Sequence, residues 1–361
     1  MADWIARSDA LLELLENAPA TLGLDTEFMR VNTFLPRLAL VQAEVDGRIA
    51  LIDPTADADP APLARVLGDP ARTIVMHSAS EDLEALATWS CSIANLFDTQ
   101  IAASFAGLGA GLGYQKLVST IAGVDLPKAE TRSDWLQRPL TAQQLDYAAQ
   151  DVVHLPRLHD ELARRVQARG YSTWFAADCA RMLERARTRD TDPQPQLGLR
   201  GAADWPRETQ ALLRRMLRWR DATARTIDRP RTWILDDAHT LDLAARKPAS
   251  ANELAERTRG LRALRSAQRG ELLDLLHAPV TPAELDELAP IPHAPDSREK
   301  KTIAAMKEVV AERALALDLP EGLLCARRHL EALLATRQWP GALDGWRAEV
   351  LRDGLLARLP E

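Results

Sequence analysis

The stretch Leu22-Gly23-Leu24-Asp25-Thr26-Glu27-Phe28 decides the fold of the first part of this chain. Leucines alternate with Gly23 and Asp25, and this period of two predicts a β-strand. Residues two apart share one face of a strand, so Asp25 and Glu27 are expected to project to the same side. Adjacent carboxylates repel each other unless a cation binds between them, and oxygen ligands suit Mg²⁺ or Mn²⁺. Alone, the same pattern also describes an acidic strand end in solvent.

Outside this stretch, length and composition indicate a globular protein of two or three domains, with 361 residues and 46% hydrophobic content. No apolar run approaches the ~18 residues of a membrane span. The first residues lack the basic segment of a secretory signal. Cys91, Cys179 and Cys325 are far apart without a C-x-x-C pair, so we expect reduced thiols, neither zinc nor disulfides, and a cytoplasmic location.

Charge is divided unequally along the chain, whose formal net charge is −7. Residues 1–180 carry a net −10, residues 181–275 a net +6, and residues 276–361 a net −3. This division predicts that a polyanionic partner would be gathered by the basic middle segment and not by the acidic first part.

Strand patterns followed by alternating helices predict an α/β domain in the first half. Asp46-Gly47 is typical of a tight hairpin turn. Helices are predicted over residues 4–18, from Ser80, and from Thr141 to about Gln167. The predicted strands are Thr21–Phe28, Arg37–Val45, Arg48–Ile52 and Thr73–His77.

The second half is helical in pattern and contains a faint internal repeat. A polar, proline-bearing stretch indicates a linker between the halves. The segment 224–235, with Asp228 and Pro230, aligns with the segment 314–325, with Asp318 and Pro320, at an offset of 90 residues. This predicts two similar small helical domains, although Asp-x-Pro can also recur by chance.

Further acidic residues are placed to join Asp25 and Glu27. Tyr147 and Asp151 are four apart in a predicted helix and therefore share a face. Asp82 follows the strand that ends at His77, at the sheet edge where α/β folds carry functional groups. Asp98 competes for the same role, but its place before Thr99 and a helix favours an N-cap.

Taken together these motifs resemble those of the DEDDy 3′–5′ exonucleases, and the sequence segments around them resemble those of the bacterial ribonuclease D family. In the helical half, Leu217-Arg-Trp219-Arg220 with Asp228-Arg-Pro230 resembles the helicase-and-RNase-D C-terminal (HRDC) domain, and the second copy is the weaker match. The sequence segments that carry the resemblance to the ribonuclease D family are Asp25-Thr-Glu27-Phe, Pro36-Arg-Leu-Ala-Leu-Val-Gln42, Leu51-Ile-Asp-Pro54, His77-Ser-Ala-Ser-Glu-Asp82, Asp98-Thr-Gln100, Ser133-Asp-Trp135-Leu-Gln-Arg-Pro139 and Tyr147-Ala-Ala-Gln-Asp151.

The resemblance implies an α/β RNase H-like exonuclease domain, a mixed sheet flanked by helices, followed by two all-α HRDC domains. The expected boundaries are 1–185 for the exonuclease domain, 186–204 for a linker, 205–285 for the first HRDC domain and 286–361 for the second, HRDC-like one. The implied activity is removal of nucleotides from RNA 3′ ends, releasing 5′-monophosphates, with tRNA precursors as the expected substrate.

The resemblance also implies residue roles. Two ions, Mg²⁺ or Mn²⁺, would be held by Asp25, Glu27, Asp82 and Asp151, and Tyr147 would orient the attacking water. We expect Trp135 to be a packing residue and His77 to lie near the substrate path. The predicted RNA contacts of the basic segment are Arg214, Arg215 and Arg218.

Other function classes stay open from the residues alone. A DNA 3′–5′ exonuclease would use the same carboxylates, because they do not contact the sugar. A catalytically idle RNA-binding scaffold is disfavoured because all four acids are present, and a small-molecule phosphodiesterase has no need of the basic segment. We expect no membrane partner and infer no obligate protein partner.

Overall fold

A six-stranded mixed sheet forms the centre of the first part of the chain. The computed structural model describes residues 2–127, 133–188 and 192–360. The strand order is β1-β4-β3-β2-β5-β6, so the strand that carries Asp25 and Glu27 is central. The strands are β1 (Asp3–Ile5), β2 (Thr21–Met29), β3 (Arg37–Val45), β4 (Arg48–Ile52), β5 (Thr73–Met76) and β6 (Leu96–Asp98).

Strands β2, β3 and β4 are antiparallel, whereas β1, β5 and β6 join the sheet in parallel. Asp46 and Gly47 connect β3 to β4 with φ values of 51° and 83°, as a tight hairpin requires at both turn positions. The four predicted strands and the hairpin are thus confirmed. The sequence pattern missed β1 and β6, because three residues are too few to display a period of two.

Helices surround this sheet, and two of the predicted helices differ from the structure. The predicted helix over residues 4–18 is shorter, since residues 3–5 pair with β4. The predicted helix from Thr141 is divided at His154, and Pro156 lies in the first turn of the next helix, where its missing N–H is tolerated. The helices are α1 (Ser8–Leu15), α2 (Ala61–Leu67), α3 (Ser80–Thr88), α4 (Thr99–Phe105), α5 (Tyr114–Ala122), α6 (Ala142–Val153), α7 (Leu155–Ala168) and α8 (Ser172–Thr188).

Helices α6 and α7 lie against the central strands. Helix α6 contacts β2, β3 and β4, and α7 contacts β2 and β5. A Cβ atom at Gly23 would lie only 3.1 Å from Cβ of Leu155 and 3.2 Å from Cβ of Glu44. Glycine at this position therefore permits the close approach of α7 to β2, which places the end of α6 over the carboxylates of β2.

A second compact unit comprises residues 30–35 and the described residues 192–296. Its apolar core includes Phe34, which is 6% exposed and belongs to the loop that follows β2. Asp228 accepts hydrogen bonds from the backbone N–H groups of Phe34 (2.9 Å) and Leu35 (3.0 Å). The helices of this unit are α9 (Arg207–Thr226), α10 (Arg231–Ile234), α11 (Asp237–Ala245), α12 (Ala251–Arg257), α13 (Ser266–His277) and α14 (Pro282–Asp286).

The last helices belong to the same compact unit as the sheet, which comprises residues 2–29, 36–188 and 297–360. Buried Trp346 stacks on Trp174 with ring centroids 4.6 Å apart. Arg347 forms a bidentate ion pair with Asp178, with N–O distances of 2.6 and 2.7 Å. The helices are α15 (Ser297–Leu317), α16 (Glu321–Leu324), α17 (Arg327–Thr336) and α18 (Trp346–Leu356). The boundaries expected from sequence stay predictions.

The two copies of the internal repeat share a local backbone geometry. Asp228 and Asp318 have φ values of 48° and 50°, an uncommon conformation for residues other than glycine. Each follows a long helix and precedes a four-residue helix, α10 or α16, whose bounds differ by the predicted 90 residues.

Two further expectations concern the chain as a whole. Cys91, Cys179 and Cys325 are buried free thiols. No helix within the described parts of the chain has the length and apolarity needed to cross a bilayer.

Candidate active site

Strand β2 presents Asp25 and Glu27 on one face. Asp25 lies opposite Gln42 of β3, and Glu27 lies opposite Leu40. The pairing register shifts between Glu27 and Phe28, so the regular ladder is interrupted directly after the second acid. Such irregularities re-aim side chains at sheet edges, and here the shift follows the two carboxylates.

Asp82 enters beside β2 from the first turn of α3. Strand β5 pairs with β2 only from Thr21 to Gly23, which leaves the following residues of β2 without a parallel neighbour. Asp82 is 8% exposed and accepts a 2.5 Å hydrogen bond from the hydroxyl of Thr26. The sequence pattern of a helix opening after a strand therefore predicted its position correctly.

Helix α6 supplies Tyr147 and Asp151. A capping box between Thr141 and Gln144 fixes the start of this helix. The hydroxyl of Tyr147 is hydrogen-bonded to the carboxylate of Asp151, one turn further along the same face. Trp135 is 4% exposed and packs on Tyr147 with ring centroids 6.0 Å apart, which confirms its expected packing role.

The carboxylates of Asp25, Glu27, Asp82 and Asp151 influence one another, as the shifts in their pKa values show. The pKa of Asp25 is raised well above its ordinary value by burial and then by the charges of Asp82, Asp151 and Glu27. Burial, followed by the charges of Asp151 and Asp82, raises the pKa of Glu27 to about 8. Acids from three separate elements thus lie near enough to one another for their charges to interact.

Burial is the main cause at the other two acids as well. It raises the pKa of Asp82 to about 6 against the opposing hydrogen bond from Thr26. It raises the pKa of Asp151 to about 7 against the opposing hydrogen bond from Tyr147. The pKa of Tyr147 is itself raised by burial and by Asp151, so this hydroxyl is a poor base and a good hydrogen-bond donor.

The donor set suits a divalent cation, although its present geometry does not enclose one. Across residues 2–127, 133–188 and 192–360, no three His, Cys, Asp or Glu side chains are arranged to hold a metal ion. The mutual effects on pKa nevertheless require the carboxylates to be near one another. Carboxylate oxygens are hard ligands that suit Mg²⁺ and Mn²⁺, so binding would require these side chains to turn toward the ion.

Asp98 has the structural role that its sequence context indicates. Its fully buried carboxylate accepts 2.9 Å hydrogen bonds from the backbone N–H groups of Gln100, Ile101 and Ala79. It is the N-cap of α4 and also fixes the loop before α3. Both oxygens of Asp98 are therefore engaged by backbone groups, whereas the charge of Asp82 acts on Asp25.

Comparison with known proteins assigns the family. Residues 3–167 match the family model of a 3′–5′ exonuclease, and residues 209–274 match the HRDC domain. Ribonuclease D of Xanthomonas oryzae pv. oryzae is 42% identical over 99% of this chain and 99% of its own length. The chain belongs to the ribonuclease D family. Ribonuclease D of Escherichia coli K12 is 32% identical, covering 99% of this chain and 98% of its own.

A solved structure supports the same assignment. The crystal structure of E. coli RNase D, an exoribonuclease involved in structured RNA processing, superposes with a TM-score of 0.84 at 28% identity, covering 99% of this chain and 98% of that one. The predicted fold class, an RNase H-like exonuclease with helical HRDC regions, is confirmed. This chain is thus a hydrolytic 3′–5′ exoribonuclease that acts on RNA, and its family implies dependence on a divalent metal.

Two of the three arginines predicted to contact RNA are engaged by groups inside the helical unit, and their role in RNA contact stays a prediction. Arg214 is 6% exposed and donates to the carbonyl of Pro193 and to Glu287. Arg215 pairs with Glu284 at 2.5 Å and also donates to three backbone carbonyls. Their side chains cross-link the unit. Arg218 is exposed and stays a candidate for contact with phosphate.

Tyr114 lies near Asp151 and Asp25, and His77 packs against the ring of Tyr114. Nδ1 of His77 is 2.8 Å from the hydroxyl of Thr99, and its ring meets Tyr114 edge-on at 5.6 Å. Sequence reasoning missed Tyr114, whose pKa is raised by burial and then by Asp151 and Asp25. Its position directly after the glycine-rich stretch 107–113 gave no periodic signal, because only tertiary folding returns that segment to α6.

Proposed function

We propose that this ribonuclease removes nucleotides singly from the 3′ ends of tRNA precursors and releases 5′-monophosphates. The observation that carries the proposal is the convergence of four carboxylates from β2, α3 and α6. Such a cluster opposes folding by charge repulsion and burial, so its retention requires a cationic partner in function. Water attack on a phosphodiester is the reaction for which this arrangement is suited.

In this proposal Asp25, Glu27, Asp82 and Asp151 hold two divalent ions, Mg²⁺ or Mn²⁺. The bound ions would supply an activated nucleophile and stabilise the leaving oxygen. Asp25 is the central ligand, because its pKa responds to all three other acids. The hydrogen bond from Thr26 fixes the orientation of Asp82.

Tyr147 is proposed to orient the attacking water. Its hydroxyl is held by Asp151 on one side, and its ring is supported by Trp135 on the other. Its raised pKa favours the protonated hydroxyl, which can position a water molecule through a hydrogen bond. The proton of the attacking water therefore does not need to pass to Tyr147.

The helical unit is proposed to contribute affinity for RNA. Residues 181–275 carry a net +6 while residues 1–180 carry a net −10, so phosphate is attracted mainly by the former. Exposed Arg218 is one proposed contact, and His77 is proposed to lie beside the 3′-terminal nucleotides. We further propose a cytoplasmic enzyme without an obligate protein partner, a location supported by the three buried free thiols.

Digestion of matched RNA and DNA oligonucleotides of both end polarities tests the proposal. We expect 5′-monophosphates from RNA 3′ ends, loss of activity in chelator, and recovery with Mg²⁺ or Mn²⁺. Asp25→Asn should lose at least ~10²-fold in rate while remaining folded. Full activity in excess chelator would refute the two-metal proposal, and faster digestion of DNA would favour a deoxyribonuclease.

A further inference from the structure

Gln42 is a fully buried amide without a hydrogen-bond partner. Its side chain is 0% exposed, and neither Nε2 nor Oε1 has a partner among the residues that the structure describes. Buried polar groups in native proteins are nearly always hydrogen-bonded, because leaving one unpaired opposes folding. A position with such a cost calls for a functional explanation.

The packing around Gln42 does not require an amide. Every residue from Leu38 to Val45 in β3 is buried, and most of these are apolar. Gln42 lies opposite Leu51 on β4, which belongs to an apolar cluster with Ala148 of α6. An unbranched apolar side chain of similar length would fill the same space without an unpaired polar group.

The neighbour of Gln42 on its other side is Asp25. The two residues are directly paired across β2 and β3, so their side chains leave the same face of the sheet with Cβ atoms roughly 4.5–5.5 Å apart. Helix α6, which carries Tyr147 and Asp151, covers this face. The amide is thus enclosed between the central carboxylate of the site and the helix that completes it.

We propose that Gln42 is a positioning residue for Asp25. When the site is loaded with its cation, the side-chain N–H of Gln42 donates a hydrogen bond to the Asp25 carboxylate and fixes its orientation toward the ion. A hydrogen bond to an ionised acceptor is short and strong, which suits it to this task. The inference rests on the proposed role of Asp25 as a ligand and names a supporting residue behind it.

The test replaces the amide with an apolar side chain of similar shape, Gln42→Met. In chelator its melting temperature should equal or exceed that of the wild type, because no partner is lost. Binding of Mn²⁺ alone, measured by calorimetry, should weaken about 10- to 100-fold, as is typical when support of a ligand is removed. The value of kcat should fall to a similar degree, with KM for a short RNA unchanged.

Two further variants make the test specific. Leu40→Met changes a buried residue on the same strand and face, opposite Glu27, and should leave Mn²⁺ binding unchanged. Gln42→Glu replaces the amide N–H group with a second acceptor oxygen, so once its carboxyl is ionised it donates no hydrogen bond and should not restore Mn²⁺ binding. Restoration of Mn²⁺ binding that persists as the pH is raised would overturn the proposed donor role.

The remaining outcomes also decide the question. Wild-type Mn²⁺ affinity in Gln42→Met would overturn the inference. A lower melting temperature of Gln42→Met in chelator would also overturn it, because it would reveal a structural partner for the amide. If Asp25→Asn is inactive while Gln42→Met behaves as wild type, only this inference fails. If Asp25→Asn retains activity, the proposed metal site itself fails.

Discussion

Replacing Glu27 with glutamine should stabilise the metal-free enzyme while abolishing its activity. Burial and the charges of Asp151 and Asp82 raise the pKa of Glu27 from 4.5 to about 8. The folded protein therefore binds a proton here more tightly than the unfolded chain does. Stability from this group is fully present below about pH 4.5 and is lost as the pH rises to about 8.

The magnitude follows from these two pKa values. At pH 8, ionisation of Glu27 opposes folding by about 4 kcal/mol, at ~1.4 kcal/mol for each tenfold step in proton affinity. Glu27 keeps some contact with solvent, which screens the repulsion, so we expect Glu27→Gln to recover about 2 kcal/mol. For a unit of this size, that corresponds to a rise of about 4–8 °C in melting temperature.

Thermal unfolding in chelator between pH 5 and pH 8 measures the effect. The stabilisation by Glu27→Gln should be largest at pH 8 and shrink to within about 1 kcal/mol at pH 5. Adding Mg²⁺ at pH 8 should stabilise the wild type more than the variant, which lacks one ligand. Glu13→Gln, at an exposed position of α1, is the control and should change little at either pH. A Glu27→Gln protein that is less stable than wild type at pH 8 in chelator would refute this reasoning.

Three further predictions concern single residues. Tyr147→Phe should lower kcat by roughly 10²-fold with KM almost unchanged, because it removes only the hydroxyl that positions water. Steady-state kinetics on a short RNA measure this, and a wild-type kcat would show that Tyr147 has only a packing role. Asp98→Asn should lower stability by about 1–3 kcal/mol, because it disturbs three backbone hydrogen bonds. Asp82→Asn should instead stay folded and lose at least ~10²-fold in rate, and the opposite pattern in melting and activity assays would make Asp98 the third acid. Phe34→Ala should destabilise the helical unit by about 3 kcal/mol in denaturant unfolding, because it removes a buried ring that also contacts the guanidinium groups of Arg225 (4.8 Å) and Arg231 (4.6 Å). Val31→Ala, at a position 61% exposed on the same loop, should change stability by less than about 0.5 kcal/mol, and equal effects of the two variants would contradict a core role for Phe34.

The sequence alone was sufficient for features that depend on local periodicity. Alternation in β2 placed Asp25 and Glu27 on one face, and helical spacing placed Tyr147 one turn before Asp151. The repeat at an offset of 90 residues agrees with the shared backbone conformation of Asp228 and Asp318, while the two helical domains that it indicates stay a prediction. Strand and helix periods fix side-chain direction within an element, so these relations need no knowledge of distant residues.

Only the tertiary structure decided which of these groups have partners. Arg214 and Arg215 carry the same charge as Arg218 in the sequence, yet glutamates and backbone carbonyls from distant parts of the chain engage the first two. The loop with Phe34 joins the helical unit, and residues 297–360 share a core with the sheet. The unpaired amide of Gln42 beside Asp25 is likewise visible only once β2 and β3 are aligned. Burial and hydrogen bonding depend on contacts between segments far apart in the chain, and local sequence patterns do not encode which distant groups will meet.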